Sequence, residues 1–201
     1  MNSLLRCNAL QIICLDKLND MRIEAGSICL IPIEGKHYEW FYKELFSRQE
    51  VMALYRDGKG RTEKETIDFV NVRANRWKRS EPSGWVVYSH NEPVGYIGFG
   101  RIESNVKYLE AGYCFIKMVW GKGLGYASLA LAMLWLKKSH HAFDYICATS
   151  DPENVASVRI LVKSGFQFER EEIRHDYGGT KRNHYVIERD RINEDITVPD
   201  T

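Results

Sequence analysis

Three glycines at alternating positions stand before an apolar stretch in the segment VWGKGLGYASLALAML, residues 119–134. They are Gly121, Gly123 and Gly125, and the alanines and leucines that follow predict a helix. The first N–H groups of a helix lack intrahelical partners and carry a partial positive charge, so they bind phosphate. Glycine has no Cβ and lets the backbone approach a ligand closely. The pattern predicts a pyrophosphate-binding turn; the alternative is a tight turn that needs glycine only for its conformation.

Two established phosphate-binding motifs differ from this turn. A P-loop needs a glycine, four residues and then Gly-Lys-Ser/Thr, a pattern that the chain does not contain. The dinucleotide fingerprint GxGxxG lies in an early strand–helix unit, with an acidic residue about twenty positions later. Here the glycine spacing is different, and Asp144 is the nearest such acid. A nicotinamide-dependent oxidoreductase is therefore a weak alternative.

The composition is that of one globular domain without a strong electrostatic preference. Of the 201 residues, 44% are hydrophobic and 27% are charged, which is enough for a core of ordinary size. The formal net charge of +1 provides no global field that would attract nucleic acid or an anionic membrane. We therefore expect neither as a partner.

The five cysteines indicate a reducing, cytoplasmic location and no metal site. None forms a CxxC pair, and no histidine follows at the spacing of a zinc finger. An odd number of cysteines at scattered positions suits a reducing compartment. Cys114 and Cys147 lie within apolar stretches, and we expect both to be buried thiols rather than nucleophiles.

The two ends of the chain differ from its centre. No run of about 18 apolar residues occurs, so no membrane span is predicted. Residues 1–20 lack the apolar core and the small-residue cleavage site of a secretory signal. They are either an N-terminal extension or residues upstream of a start at Met21. We expect the domain over residues 21–190, followed by a charged, frayed tail over 191–201.

The periodicity of apolar residues predicts strands and helices in a mixed order. Strands are predicted over 27–34, 84–90, 94–103, 107–119, 143–150, 166–173 and 182–190. Helices are predicted over 37–48, 61–79 and 124–139, with a last one between residues 151 and 165. This order predicts an α/β (α+β) fold: a mixed, mostly antiparallel sheet with helices on both faces.

Several residues are predicted to begin or end these helices. Thr62 and Glu65 have the spacing of a capping box at the second helix. Asp151, followed by proline, is the expected N-cap of the last helix, and Gly165 its C-terminal glycine. The apolar face of that helix is predicted to consist of Val155, Val158 and Val162.

Four stretches carry motifs in a fixed order. They are EPVGYIGF (92–99), EAGYCF (110–115), WGKGLGYAS (120–128) and NVASVRILVKSGF (154–166). Together they resemble the hairpin, Glu-x-Gly-Tyr strand, Trp-Gly-Lys-Gly-x-Gly/Ala turn and Asn-x-x-Ser…Lys-x-Gly-Phe helix of the GNAT N-acetyltransferases. The resemblance is to the ribosomal-protein N-terminal acetyltransferase (RimJ/RimL-like) branch. The helix motif matches at Asn154, Ser157, Lys163, Gly165 and Phe166. Each motif alone has low specificity, whereas the ordered set, over about residues 21–190, is specific.

The resemblance implies the GNAT fold, with a splayed pair of central strands, and acetyl-CoA as co-substrate. The N–H groups of one turn would hold the CoA pyrophosphate: Trp120, Gly121, Lys122, Gly123, Leu124, Gly125 and Tyr126. The strand end at Phe115, Ile116 and Lys117 would pair its backbone with the pantetheine arm. Asn154 would contact the pantetheine or the reaction centre.

The chain departs from the family pattern at two positions. The family has a proline near the position of Lys117, but the implied contacts are to the backbone and survive its loss. Many members carry a tyrosine acid on the helix after Asn154, where this chain has Leu161. Ser157 therefore becomes the candidate partner of the departing thiolate, as the branch implies. A serine alcohol is a weak acid, so hydrogen bonding to the thiolate is its expected role.

The implied reaction is attack of an amine on the acetyl thioester. A lysine-like amine, with a pKa near 10.4, is only about 0.04% neutral at pH 7, so a base must take its proton. Glu110, on the strand expected to line the cleft, is the candidate base. A backbone N–H near Phe115 would stabilise the oxyanion.

These assignments have structural alternatives. Glu110 would then be a charge on a solvated strand face, Ser157 a small packing residue and Asn154 a helix cap. His90 and His184 are the alternative bases.

Two further groups are interpreted as structural. The aromatic residues Tyr38, Trp40 and Phe41 are expected to form core rather than a wall of the acceptor site. The basic stretch RANRWKRS (73–80) is interpreted as a solvated helix end rather than an RNA contact.

The leading hypothesis is an acetyl-CoA-dependent N-acetyltransferase. The alternative is a non-catalytic GNAT-like module that binds CoA or senses a partner. Protein N-termini, polyamines, amino acids and aminoglycosides all fit as acceptors. The sequence does not select an oligomeric state, although a homodimer is compatible with such a fold.

Overall fold

The computed structural model describes residues 22–55, 57–196 and 198 of the chain. Residues 1–20, interpreted either as an N-terminal extension or as residues upstream of a start at Met21, lie outside the described residues, as does Met21 itself. The expected C-terminal tail is described at residues 191–196 and 198, and three of its side chains pack on the domain. Ile192, Ile196 and Val198 are buried in the main apolar core, because these side chains are apolar despite their charged neighbours.

Eight strands form one sheet in the order β1-β2-β3-β4-β5-β6-β8-β7. They are β1 (Ile23–Ala25), β2 (Ile28–Pro32), β3 (Gly84–Ser89), β4 (Glu92–Ile102), β5 (Asn105–Phe115), β6 (Tyr145–Ser150), β7 (Gln167–Arg174) and β8 (Thr180–Glu188). Neighbouring strands are antiparallel except β5 and β6, which are parallel. The predicted mixed, mostly antiparallel sheet is confirmed.

Five α-helices accompany the sheet in the described part of the chain, besides short 3₁₀ turns. They are α1 (Tyr38–Trp40, continued by a π-helical segment Phe41–Phe46), α2 (Gln49–Met52), α3 (Glu63–Lys78), α4 (Leu124–Lys138) and α5 (Val155–Lys163). The predicted capping box is confirmed, because Thr62 accepts the N–H of Glu65 and the Glu65 carboxylate accepts the N–H of Thr62.

The sheet separates two apolar clusters, which confirms helices on both faces. Val86 and Tyr96, with Cys114 beside them in register, lie in the cluster that includes α1 and the middle of α3. The adjacent residues on the same strands, such as Trp85 and Ile97, belong to the larger cluster that includes α4, on the opposite face of the sheet. Successive strand residues point to opposite faces, so each strand contributes to both clusters.

Strand β5 is shorter than predicted. The sequence pattern predicts a strand over 107–119, but β5 ends at Phe115 and a 3₁₀ turn, Lys117–Val119, follows. The carbonyl groups of Ile116 and Lys117 accept the N–H groups of Val119 and Trp120, at 3.2 and 3.1 Å. These local bonds close the chain into a turn, because they take the place of further strand pairing.

Helix α5 begins later than predicted, and its N-cap is Asn154 rather than Asp151. The Asp151 carboxylate instead accepts the N–H of Glu153 at 2.9 Å, which keeps this segment in a turn. The predicted apolar face is also wrong in part. Val155 and Val162 are exposed, whereas Leu161 is fully buried.

Candidate active site

Strands β5 and β6 pair over only three positions. The paired positions run from Tyr108 opposite Tyr145 to Glu110 opposite Cys147. Beyond them β5 continues to Phe115 and β6 to Ser150 without pairing to each other. The two strands therefore splay and leave an opening in the middle of the sheet, as the family resemblance implies.

The backbone of β5 offers hydrogen-bonding groups to this opening. The N–H of Ile116 donates to the carbonyl of Val94 on β4, at 3.0 Å. In an antiparallel ladder, alternate residues turn their backbone groups to opposite sides. The N–H and C=O groups of Phe115 and Tyr113 therefore point away from β4, into the opening.

Of the three residues predicted to pair with pantetheine, the structure brings the backbone of Phe115 to the opening. The N–H of Ile116 is bonded to β4, and Lys117 lies within the 3₁₀ turn. The Phe115 carbonyl already accepts the indole N–H of Trp120 at 2.8 Å. The Phe115 N–H is thus the strand-end donor that remains for a ligand.

The three glycines of the turn have two different roles. Gly121 and Gly123 have φ values of 77° and 81°, in the left-handed region that favours glycine. A Cβ on Gly125 would instead lie 2.7 Å from Cδ1 of Ile160, so this glycine allows α4 and α5 to pack closely. The conformational alternative therefore explains two of the glycines, and helix packing explains the third.

The N-terminus of α4 presents a group of backbone donors. The first cap bond runs from the N–H of Ala127 to the carbonyl of Gly123, at 3.1 Å. No backbone carbonyl of a described residue accepts the N–H groups of Gly123, Leu124, Gly125 or Tyr126. These donors, with the positive end of the helix dipole, have the chemistry of a phosphate site.

A lysine from the neighbouring helix lies beside this turn. The Nζ of Lys163 is 4.1 Å from the centre of the Tyr126 ring, a cation–π contact. Lys122 in the turn itself is exposed. Two ammonium groups therefore accompany the backbone donors.

Helix α5 places Asn154 and Ser157 on the α4 side of the sheet. The Oδ1 of Asn154 accepts the N–H of Ser157 at 3.0 Å, so Asn154 does act as a helix cap. The Ser157 Oγ lies 3.0 Å from the phenol oxygen of Tyr113 on β5. The same phenol oxygen lies 3.3 Å from the Ser157 carbonyl.

Tyr113 was missed as a site residue by the sequence analysis. A signal was present, because it stands two positions before Phe115 and alternation places both side chains on one face of β5. Burial raises the pKa of Tyr113, while its hydrogen bond with Ser157 lowers it by less. The phenol is therefore neutral at physiological pH.

Glu110 lies on the other face of β5, because it differs from Tyr113 by an odd number of positions. Its Oε1 accepts a hydrogen bond from Arg174 on β7, at 2.6 Å. Both side chains are largely buried, at 27% and 18% exposed, so water screens this pair only partly. Glu110 is therefore not a charge on a solvated face.

Arg174 is held in place by further contacts, and no local sequence pattern points to it. It forms two hydrogen bonds with Asp176, at 2.8 and 2.7 Å, and its guanidinium lies 4.3 Å from the Tyr177 ring centre. The hydrogen bonds to Asp176, and then that to Glu110, raise the pKa of Arg174.

The alternative bases are less well placed. His184 is buried on β8, with Nδ1 3.1 Å from Glu169, and burial lowers its pKa. His90 lies in the turn between β3 and β4, with a φ of 50°. His184 has no contact with Phe115 or Ser157 among the described residues.

Cys114 and Cys147 are buried, as predicted, and the aromatic helix packs into the smaller apolar cluster. Burial raises the pKa of Cys114 and Cys147 to about 12 in each case, so both thiols are protonated. Phe41 is fully buried, and Tyr38 and Trp40 pack against its cluster.

The basic stretch over 73–80 is only partly solvated. Trp77 is buried in the core, and Arg73 donates to the carbonyl of Phe99 at 2.9 Å. In the described part of the chain, no cluster of His, Cys, Asp and Glu could hold a metal ion. None of its helices is long and apolar enough to cross a membrane.

The fold is that of the GNAT acetyltransferases, and the chain belongs to that family. The model of the acetyltransferase (GNAT) domain matches residues 27–167. The chain is also 27% identical to YkkB, an uncharacterized protein of Bacillus subtilis, over 153 residues. These residues make up 74% of this chain and 87% of YkkB.

Solved structures of ribosomal-protein acetyltransferases share the fold. An acetyltransferase from Salmonella typhimurium that modifies the N-terminal serine of ribosomal protein L7/L12 has a TM-score of 0.70 at 18% identity. The alignment covers 85% of this chain and 97% of that one. RimJ of Mycobacterium smegmatis, in complex with CoA-disulfide, has a TM-score of 0.68 at 18% identity, covering 85% and 86%. The predicted family and fold are confirmed, and two enzymes of the predicted branch share that fold.

Proposed function

We propose that this acetyltransferase transfers the acetyl group of acetyl-CoA to a primary amine by direct attack in a ternary complex. The observation that carries the proposal is the opening between β5 and β6, which lies beside the donor-rich turn before α4. A thioester can enter such an opening from the α4 side while an amine approaches from the α1 side.

The α4 side of the opening fits CoA. The N–H groups of the segment from Gly123 to Tyr126 would bind the pyrophosphate, with Lys122 and Lys163 adding positive charge. The N–H groups of Trp120 and Lys122 already donate to the carbonyls of Lys117 and Val119. Pantetheine would then run along the opening towards Phe115. The amide nitrogen of Asn154 donates to no described residue and is available to the arm.

Deprotonation of the amine is the proposed task of Glu110. Arg174 binds its Oε1 at 2.6 Å, which leaves Oε2 to accept a proton directly or through water. A protein α-amine, with a pKa of about 7.7–8.0, loses its proton to a base more readily than a lysine-like amine does.

Charge that develops during the transfer meets two donors. The Phe115 N–H points into the opening and would stabilise the oxyanion of the attacked carbonyl. The Ser157 hydroxyl lies on the α4 side and would donate a hydrogen bond to the departing thiolate.

A non-catalytic CoA-binding module is the second candidate, and one observation favours it. The carboxylate of Glu110 is already paired with Arg174, as a purely structural ion pair would be.

Thiol release from acetyl-CoA with a panel of amines separates the two candidates. Suitable acceptors are peptides that begin with serine or alanine, spermidine, free amino acids and an aminoglycoside, with mass spectrometry of each product. The enzyme should release one CoA thiol for each acetyl group found on the amine. Binding of acetyl-CoA without thiol release from any acceptor would instead support the non-catalytic module.

A further inference from the structure

We infer that Tyr113 is a positioning residue, whose phenol orients the Ser157 hydroxyl towards the departing sulfur of CoA. The inference rests on the proposed acetyl transfer. It starts from one contact that no motif assigns, the 3.0 Å separation between Tyr113 Oη and Ser157 Oγ.

The contact joins two elements that flank the opening. Tyr113 belongs to β5, and Ser157 lies in the first turn of α5, which follows β6. At this level β5 and β6 no longer pair, so the side-chain contact spans the splay. The main chain of Ser157 is fixed separately, because Asn154 accepts its N–H at 3.0 Å.

The pair has two hydrogen-bonding arrangements with the same heavy-atom positions. In one, the phenol donates to the Ser157 carbonyl, 3.3 Å away, and the serine hydroxyl donates to the phenol. In the other, the phenol donates to Ser157 Oγ, and the serine hydrogen is free to point elsewhere. A thiolate in the opening favours the second arrangement, because an anion attracts the serine hydrogen.

Tyr113 acts through Ser157 and is not the acid itself. Burial raises the pKa of the phenol, so loss of its proton would leave a strongly disfavoured phenolate. Both arrangements keep every proton on its own oxygen and need only rotation of two hydroxyl groups. The ring of Tyr113 packs against the larger core, which limits its motion.

Tyr113→Phe removes the phenol oxygen and keeps the ring. The inference predicts a roughly tenfold lower kcat, with KM values for acetyl-CoA and amine within about twofold of wild type. In the Tyr113→Phe/Ser157→Ala double variant, kcat should be no lower than in Ser157→Ala alone, since both substitutions remove the same interaction. Tyr108→Phe, on the paired part of β5, is the matched control and should leave kcat unchanged.

A binding measurement tests the same inference without turnover. CoA presents a thiol at neutral pH and a growing fraction of thiolate at higher pH, whereas acetyl-CoA presents neither. Calorimetric titrations at about pH 7 and about pH 9 should show that wild type gains affinity for CoA relative to acetyl-CoA as the pH rises. Tyr113→Phe should lose most of that gain while its affinity for acetyl-CoA stays the same.

Failure of this inference differs from failure of the proposed function. If wild type transfers acetyl groups but Tyr113→Phe keeps its kcat, or if the two substitutions act additively, the positioning role is wrong. If wild type releases no thiol with any amine, acetyl transfer to amines is wrong. In that case the calorimetric titrations remain as the test of Tyr113. If Tyr113→Phe keeps the full gain in affinity for CoA at higher pH, the positioning role is wrong.

Discussion

The indole N–H of Trp120 donates to the carbonyl oxygen of Phe115 at 2.8 Å, which ties the turn before α4 to the end of β5. Nearly half of the Trp120 side chain is exposed, so apolar burial is not its main contribution. The contact connects the proposed pyrophosphate turn with the strand end that donates the Phe115 N–H. It therefore fixes the distance between the two ends of the proposed CoA site.

Trp120→Phe should weaken acetyl-CoA binding. The substitution removes the donor, and a net loss of about 1 kcal/mol corresponds to roughly fivefold in affinity. Calorimetric titration measures the change directly. Met118→Ala, in the adjacent 3₁₀ turn and strongly exposed, is the matched control. Equal affinities for Trp120→Phe and wild type would show that the contact does not order the site.

Gly125→Ala should destabilise the fold through a clash between helices. The new Cβ would lie 2.7 Å from Cδ1 of Ile160, the end of that side chain, which must move. Overpacking of this kind costs about 1–3 kcal/mol, against a gain of about 1 kcal/mol for alanine over glycine within a helix. Ile160→Val removes that carbon, so the same glycine substitution should cost much less in this background. Urea unfolding of wild type, Gly125→Ala, Ile160→Val and the double variant measures how far the cost of Gly125→Ala depends on residue 160. A cost that is independent of residue 160 would contradict the packing explanation.

Glu110→Gln should reduce turnover without affecting CoA binding. Removal of a general base typically lowers the rate by about 10²–10⁴-fold. Glu172→Gln is the matched control, since Glu172 lies 3.6 Å from the same guanidinium of Arg174. Steady-state kinetics with saturating amine gives kcat, and calorimetry gives the affinity for acetyl-CoA. Similar losses in the two variants would mean that the ion-pair network, rather than a base, had been disturbed.

Stability should fall on acidification, in part because of His184. Burial lowers the pKa of folded His184, so the unfolded chain binds more protons at acidic pH. Its contribution is therefore present above the ordinary histidine pKa of about 6.5 and is lost as the pH falls below it. His37 and His141 have pKa shifts in the same direction.

His184→Asn should accordingly flatten the dependence of Tm on pH between about 7.5 and 5.5. His140→Asn is the control, because the side chain of His140 is exposed. Melting curves across this range make the comparison. Identical slopes for His184→Asn and wild type would show that His184 is not a source of the acid sensitivity.

Local signals predicted the elements well. The capping box of Thr62 and Glu65 and the left-handed Gly165 after α5 depend on residues close in sequence, and both occur as predicted. The start of α5 was misplaced because Asp151 and Asn154 are both good N-cap residues. Only the surrounding turn decides between them.

The site was predicted less completely, since its contacts are non-local. Glu110 and Arg174 belong to distant strands, and no periodicity links them. The contact between Tyr113 and Ser157 depends on how α5 packs beside the splayed strands. The glycine turn could be predicted, because the proposed ligand site and the helix start lie in one short segment.

Thermal unfolding with and without acetyl-CoA, with NADH as the control, tests the central claim most directly. At about a hundred times its dissociation constant, acetyl-CoA should stabilise the protein by about 2.7 kcal/mol, which raises Tm by several degrees. NADH should produce no shift. Failure of acetyl-CoA to raise Tm, or an equal shift with NADH, would contradict acetyl-CoA binding at the turn before α4.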